Sequence, residues 1–98
     1  MTNTYRFTAA LWEWQSRTTW VFVTLPEDAS ADIRAQPRPP EPGFGSIRVH
    51  VTLGGSRWST SIFPAKTGSY VLPVKRSVRD AESVDVDDEV ALVVELAE

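Results

Sequence analysis

A mostly β fold, a small closed or split β-barrel carrying two short helices, is the architecture this sequence predicts, and three observations predict it. The first is period-two alternation of apolar and polar residues. It is cleanest in Ser46 to Leu53, where Ile47, Val49, Val51 and Leu53 share one face and Arg48, His50 and Thr52 the other. The second is the Gly54-Gly55 pair, whose positive backbone angles join that run to Ser56–Phe63 as a tight hairpin. The third is an internal echo. Val23-Thr24-Leu25-Pro26 leads into a short helix, a loop and a strand, and Tyr70-Val71-Leu72-Pro73 does the same. Two such units about a pseudo-twofold axis can close a small barrel and hide strand edges that would otherwise invite aggregation.

The remaining elements follow in chain order. Tyr5, Phe7, Ala9 and Leu11 alternate with Arg6, Thr8 and Ala10, so Thr4 to Trp14 reads as the first strand. Thr18 to Leu25, rich in β-branched and aromatic residues and stopped by Pro26, is the second, expected to form a hairpin with the first. Residues 27–36, EDASADIRAQ, follow a proline and begin with acids, which favours a helix of about two turns. Gln36 to Gly45 holds four of the seven prolines and two of the five glycines, which excludes helix and interior strand. It reads as a surface loop in preference to a polyproline ligand. Pro64 to Gly68 turn the chain into a short strand, Ser69–Leu72. Pro73 then opens a second helix, VKRSVRDAE, with Val74 and Val78 as an apolar stripe and Lys75 with Arg79 as a basic one. Glu89 to Leu96 is mostly apolar and is expected to be central or covered on both faces.

Ninety-eight residues allow one domain, expected to span 1–98 and to bury roughly 65% of its unfolded surface. With 42% hydrophobic and 23% charged residues the chain has a globular composition, which argues against disorder. It has no cysteine, so a disulfide framework and thiolate metal sites are excluded and a cytoplasmic location is expected. The opening residues lack a basic segment followed by an unbroken apolar run, and no stretch approaches the roughly 18 apolar residues of a membrane span. No membrane association is expected.

Candidate chemistry is sparse. His50 lies on the polar face of its strand near Ser46, Ser56, Ser59 and Ser61, but no G-x-S-x-G elbow is present, so a nucleophile and base pair is the lesser reading. Asp85, Asp87, Asp88 and Glu89 form the densest acidic cluster. Without a glycine at the bend it does not match a calcium loop and reads as a solvated turn. The four tryptophans, Trp12, Trp14, Trp20 and Trp58, are unusual for so short a chain and lie near several arginines. Aromatic and guanidinium groups together can grip a planar or anionic ligand. Trp20 and Trp58 are expected in the core, and Trp12 and Trp14 at a strand end with one exposed. Lys75, Arg76 and Arg79 make the only concentrated basic patch, yet a net charge of −3 and a pI near 5.1 argue against nucleic acid. Arg76 with Asp80 at i and i+4, and Arg79 on a nearby carbonyl, account for those charges structurally.

Four blocks span nearly the whole chain: Phe7-Thr8-Ala9, then WVFVTLP from Trp20 to Pro26, WSTSIFP from Trp58 to Pro64, and YVLPVK from Tyr70 to Lys75 with Val78 and Arg79. Together they resemble the DUF1905 family of small bacterial and archaeal proteins. The resemblance implies a closed or split β-barrel with two short helices, sometimes attached to a domain similar to the YdeI/OmpD-associated proteins, and no established activity. One departure is Asp87, where the family pattern looks like a Gly-Asp turn; aspartate enters the left-handed region less readily than glycine. The C-terminal half, YVLPVKRSVRDAESVDVDDEVALVVEL, also resembles in architecture the swapped-hairpin element of AbrB and MazE type proteins.

The expected function is a non-enzymatic module that binds a small anionic or aromatic ligand, or a protein partner similar to the YdeI/OmpD-associated domains. Its site is expected to be a cleft bordered by Trp12, Trp14, Trp58, Ser61, Lys75 and Arg79, Ser61 entering through its place in the family-like block. No catalytic residue, metal or cofactor is assigned. A monomer is expected, because the internal repeat supplies the two halves that related folds obtain by dimerising. Two alternatives are an AbrB-like DNA-binding transcriptional regulator and a small serine/histidine hydrolase using His50.

Overall fold

The computed structural model describes residues 3–14, 20–36 and 45–97. The alternating runs of the sequence become paired strands. In chain order the elements are β1 (Thr4–Ala10), β2 (Trp12–Glu13), β3 (Val21–Thr24), α1 (Glu27–Ala35), β4 (Ile47–Leu53), β5 (Ser56–Pro64), β6 (Tyr70–Pro73), α2 (Arg76–Glu82) and β7 (Glu89–Leu96). The strands lie in the order β1-β7-β4-β5-β6-β3-β2, with every neighbouring pair antiparallel. The two end strands, β1 and β2, are consecutive in the chain, so the sheet curls into a half-barrel whose edges are joined through Leu11.

The concave side holds the core. Ile47, Val49, Val51 and Leu53 of β4 face Val90, Leu92, Val94 and Leu96 of β7, while Val21, Val23, Ile62 and Leu72 continue the layer across β3, β5 and β6. Ile33 of α1 and Val78 of α2 plug the same layer. Burying a side chain of this kind contributes roughly 1.5–3 kcal/mol, and one interior face shared by all the long strands fixes their register.

The sequence echo has a structural counterpart. The units β3-α1-β4 and β6-α2-β7 pair first strand with first strand (Val23↔Leu72) and last with last (Val51↔Val94), both antiparallel. At the first pair the Leu25 N–H donates to the Tyr70 carbonyl and the Val74 N–H to the Val21 carbonyl, each at 2.9 Å. These two bonds extend the antiparallel β3–β6 ladder at either end.

Three expectations are corrected and one, for β7, is narrowed. The first strand breaks at Leu11, whose N–H donates to the Asp88 carbonyl (2.9 Å) while its carbonyl accepts from Asp87 (2.8 Å); the turn before β7 thus bends β1 into β2. α2 begins at Arg76, two residues later than the proline suggested, because the Val74 N–H is still spent on β3. Lys75 is extended and its carbonyl accepts the first helical bonds, from Val78 and Arg79. β7 is central in pairing but covered on one face alone, with Glu89, Ala91 and Glu95 exposed outward. In the β4–β5 hairpin only Gly54 has a positive φ (60°), the pattern of a II′ turn. Thr18, Thr19 and residues 37–44 of the expected loop lie outside the described residues.

Helix α1 is strapped across the sheet by side chains. The buried Ser30 hydroxyl accepts the Tyr70 N–H at 3.0 Å, satisfying a strand-end donor that no ladder reaches. Asp32 accepts from the Tyr5 hydroxyl, Gln36 Nε2 donates to the same hydroxyl, and Arg34 donates to the Gly68 carbonyl.

Candidate functional site

Period two along β5 turns Trp58 and Thr60 toward the concave side, and α2 with the turn after it stands against that strand. The space between them and the β2–β3 edge is a cleft of about 620 Å³. Its apolar walls include Trp20, Trp58, Val74 and Val86, and Trp58 also packs on the core. A volume of that order suits a small organic molecule.

The charged lining comes from three places. Lys75 and Arg76 start α2 and Arg79 lies one turn on; Asp80 and Asp85 follow, and Glu13 reaches in from β2. Arg76 is engaged by Asp80 at 3.7 Å, an exposed i,i+4 pair. The Arg79 Nε donates to the Val74 carbonyl at 3.1 Å, which fixes the stem and leaves the two Nη groups unpaired among the described residues. Lys75 is exposed, and its ammonium group has no hydrogen-bonding partner among them. Of the expected site residues, Trp58, Lys75 and Arg79 are therefore brought together.

Trp12 and Trp14 are placed elsewhere, on the convex face. Trp12 is paired across strands with Phe22, and its ring lies 5.2 Å from the Phe22 ring; Trp14 and Trp20 lie at 6.1 and 5.8 Å from it. Three indoles thus enclose one phenyl ring. Phe22 is only 5% exposed although it points away from the core, while Trp14 and Trp20 are 48% and 47% exposed. The expectation that Trp20 sits in the core is overturned: residues 20 and 22 share a strand face, and that face is the outer one. Trp20 is both a cover for Phe22 and a rim of the cleft. The Trp12 indole N–H donates to the Thr24 hydroxyl at 2.9 Å, so that ring is locked.

Ser61 also misses the cleft. It lies three residues from Trp58, hence on the opposite face of β5, where Arg48 Nη1 donates to its hydroxyl at 3.4 Å. His50 Nδ1 and the Ser59 hydroxyl lie 2.8 Å apart on that same convex face. Ser59 sits mid-strand there, with water at hand and no sharp turn to gather N–H donors around a tetrahedral intermediate. In the acidic turn Asp88 Oδ2 accepts the Asp85 N–H (2.9 Å) and Asp85 Oδ1 accepts the Val86 N–H (2.7 Å), so these carboxylates shape backbone. Asp87 adopts φ 76°, keeping the left-handed turn without glycine.

Sequence reading missed Glu13 and Asp85 as cleft residues. A signal existed for Glu13: with Trp12 and Trp14 on one face, the residue between them must face the other way. Among the described residues no helix is long and apolar enough to cross a membrane.

No curated protein is significantly similar in sequence to the chain. Residues 7–94 match the family described as a domain of unknown function, DUF1905, a span that takes in β2–β6, both helices and most of β1 and β7. The half-barrel, its two helices and the cleft beside α2 are accordingly those of a member of the DUF1905 family.

Proposed function

We propose that the protein is a non-enzymatic binding module whose ligand is a small molecule with a planar apolar body and an anionic group. The observation that carries this reading is the convergence of Trp58, Lys75 and Arg79 on one cleft of about 620 Å³. An indole offers contact area with little entropy to lose, and two cations from consecutive turns of chain fix an anion's position. A DNA-binding role draws less support, since Arg76 is tied to Asp80 and the Arg79 stem to Val74. The hydrolase alternative rests on the His50–Ser59 contact alone.

The four indole N–H groups give separable signals in a proton–nitrogen correlation spectrum, and 3-phenylpropionate is a suitable probe. The expected result is a saturable shift of the Trp58 signal with Trp12 unmoved, weakened at least about fivefold in Lys75→Ala. A Trp58 signal unmoved at millimolar probe rejects the reading. A second reading, docking of a protein partner on the convex face, is favoured by the exposure of Trp14 and Trp20, 48% and 47%. It predicts that Trp14→Ser abolishes partner retention while leaving the probe's effect on Trp58 intact.

A further inference from the structure

The charge around the cleft is not that of a simple anion site. Arg76 and Asp80, both exposed and 3.7 Å apart, offset each other in the balance of charge. What remains is two cations, Lys75 and Arg79, and two carboxylates, Glu13 and Asp85, all lining one cavity. Asp85 spends one oxygen on the Val86 N–H, and the other has no partner among the described residues. The Glu13 carboxylate has no hydrogen bond or ion pair among them.

A ligand with an anionic group alone would gain from the cations and meet repulsion from the carboxylates in the same space. One carrying both signs gains from all four groups. The indole faces of Trp20 and Trp58 favour the same chemistry, because a ring face attracts an ammonium as well as a flat hydrocarbon. We propose that the cleft takes a zwitterion: a planar or aromatic body with a carboxylate or similar anion held by Lys75 and Arg79, and an ammonium held by Glu13 and Asp85. The proposal rests on the ligand-cleft reading above and narrows it to aromatic amino acids and close analogues in chemical class.

Three probes with one phenyl ring test it: L-phenylalanine, 3-phenylpropionate and phenethylamine, each titrated against the indole N–H signals of Trp20 and Trp58. The expected result is binding about tenfold weaker or more for the two probes that lack one of phenylalanine's charges than for phenylalanine itself. Glu13→Gln with Asp85→Asn should bring phenylalanine down to the level of 3-phenylpropionate while leaving 3-phenylpropionate at least as tight as before. Asparagine keeps the acceptor for the Val86 N–H, and an unchanged urea midpoint confirms that the variant is folded. Equal affinity for phenylalanine and 3-phenylpropionate overturns the zwitterion and leaves the anion cleft standing. If none of the three moves either indole, both readings fall.

Discussion

The Glu82 carboxylate, at the end of α2, accepts a 2.6 Å hydrogen bond from the Ser56 hydroxyl, the first residue after the β4–β5 turn. Its other oxygen accepts the Gly55 N–H at 3.3 Å, so one side chain closes the turn and docks α2 on the hairpin. A Cβ at Gly54 would overlap this carboxylate, so a larger residue there, besides straining at a φ of 60°, would push the Glu82 side chain off the turn. Glu82→Ala should cost about 1–2 kcal/mol, read as a lower urea midpoint, since a charge-assisted bond to a half-buried acceptor is lost. Gly54→Ala should cost at least as much in the native protein and less in the Glu82→Ala background, where the overlap is gone and only the φ strain remains. Equal costs in the two backgrounds would mean that the carboxylate and the turn are uncoupled.

Phe22 is buried by tryptophans and not by the core, so its removal should be visible optically. Phe22→Ala is expected to destabilise by about 3 kcal/mol, the low end for a buried phenyl, because its cover can collapse onto the strand. In the folded variant the tryptophan emission should also shift to longer wavelength as the indoles lose the ring they pack on. A variant with the parent spectrum would show that the indoles hold their places without Phe22.

Ser30 is the single buried polar residue among the described ones, and its hydroxyl serves the Tyr70 N–H. Ser30→Ala strands that donor inside the protein and should cost about 1–3 kcal/mol. Hydrogen exchange gives the local test. The Tyr70 amide should exchange faster in the variant by more than the global loss of stability accounts for, whereas the Leu92 amide should follow the global loss alone.

Local signals carried most of the fold. β4, β5 and β7 were legible within a residue or so because alternation and the Gly54-Gly55 turn are properties of adjacent residues. β3 was harder. Val21, Phe22 and Val23 are all buried, the valines by the core and the phenylalanine by indoles from the convex side, so the strand shows no alternation from which to read its faces. Such a strand gives no sign that Trp20 belongs to the outer face, and bulk alone points an indole to the core. The lock between Glu82 and Ser56 joins residues 26 apart and leaves no periodic trace. At the site, Trp58, Lys75 and Arg79 were legible, while Ser61 was misplaced against a rule the sequence does contain: an odd separation from Trp58 on a regular strand puts it on the other face.

Asp87 offers a gain of stability by substitution. Its φ of 76° lies where a side chain crowds the backbone, and its N–H holds the Leu11 carbonyl at the corner where β1 becomes β2. Glycine keeps that N–H and removes the crowding, at the cost of a more flexible unfolded chain. Aspartate tolerates the left-handed region better than most residues, so the net effect of Asp87→Gly should be small, a gain of about 0.5 kcal/mol in thermal or urea unfolding. Asp87→Val, branched at Cβ, should instead lose about 1–2 kcal/mol at the same position. The ordering glycine, aspartate, valine is the sensitive readout, because it follows backbone strain and not charge. Should glycine prove less stable than aspartate, the carboxylate itself supports the corner, and Asp87→Asn would then separate its charge from its hydrogen bonding.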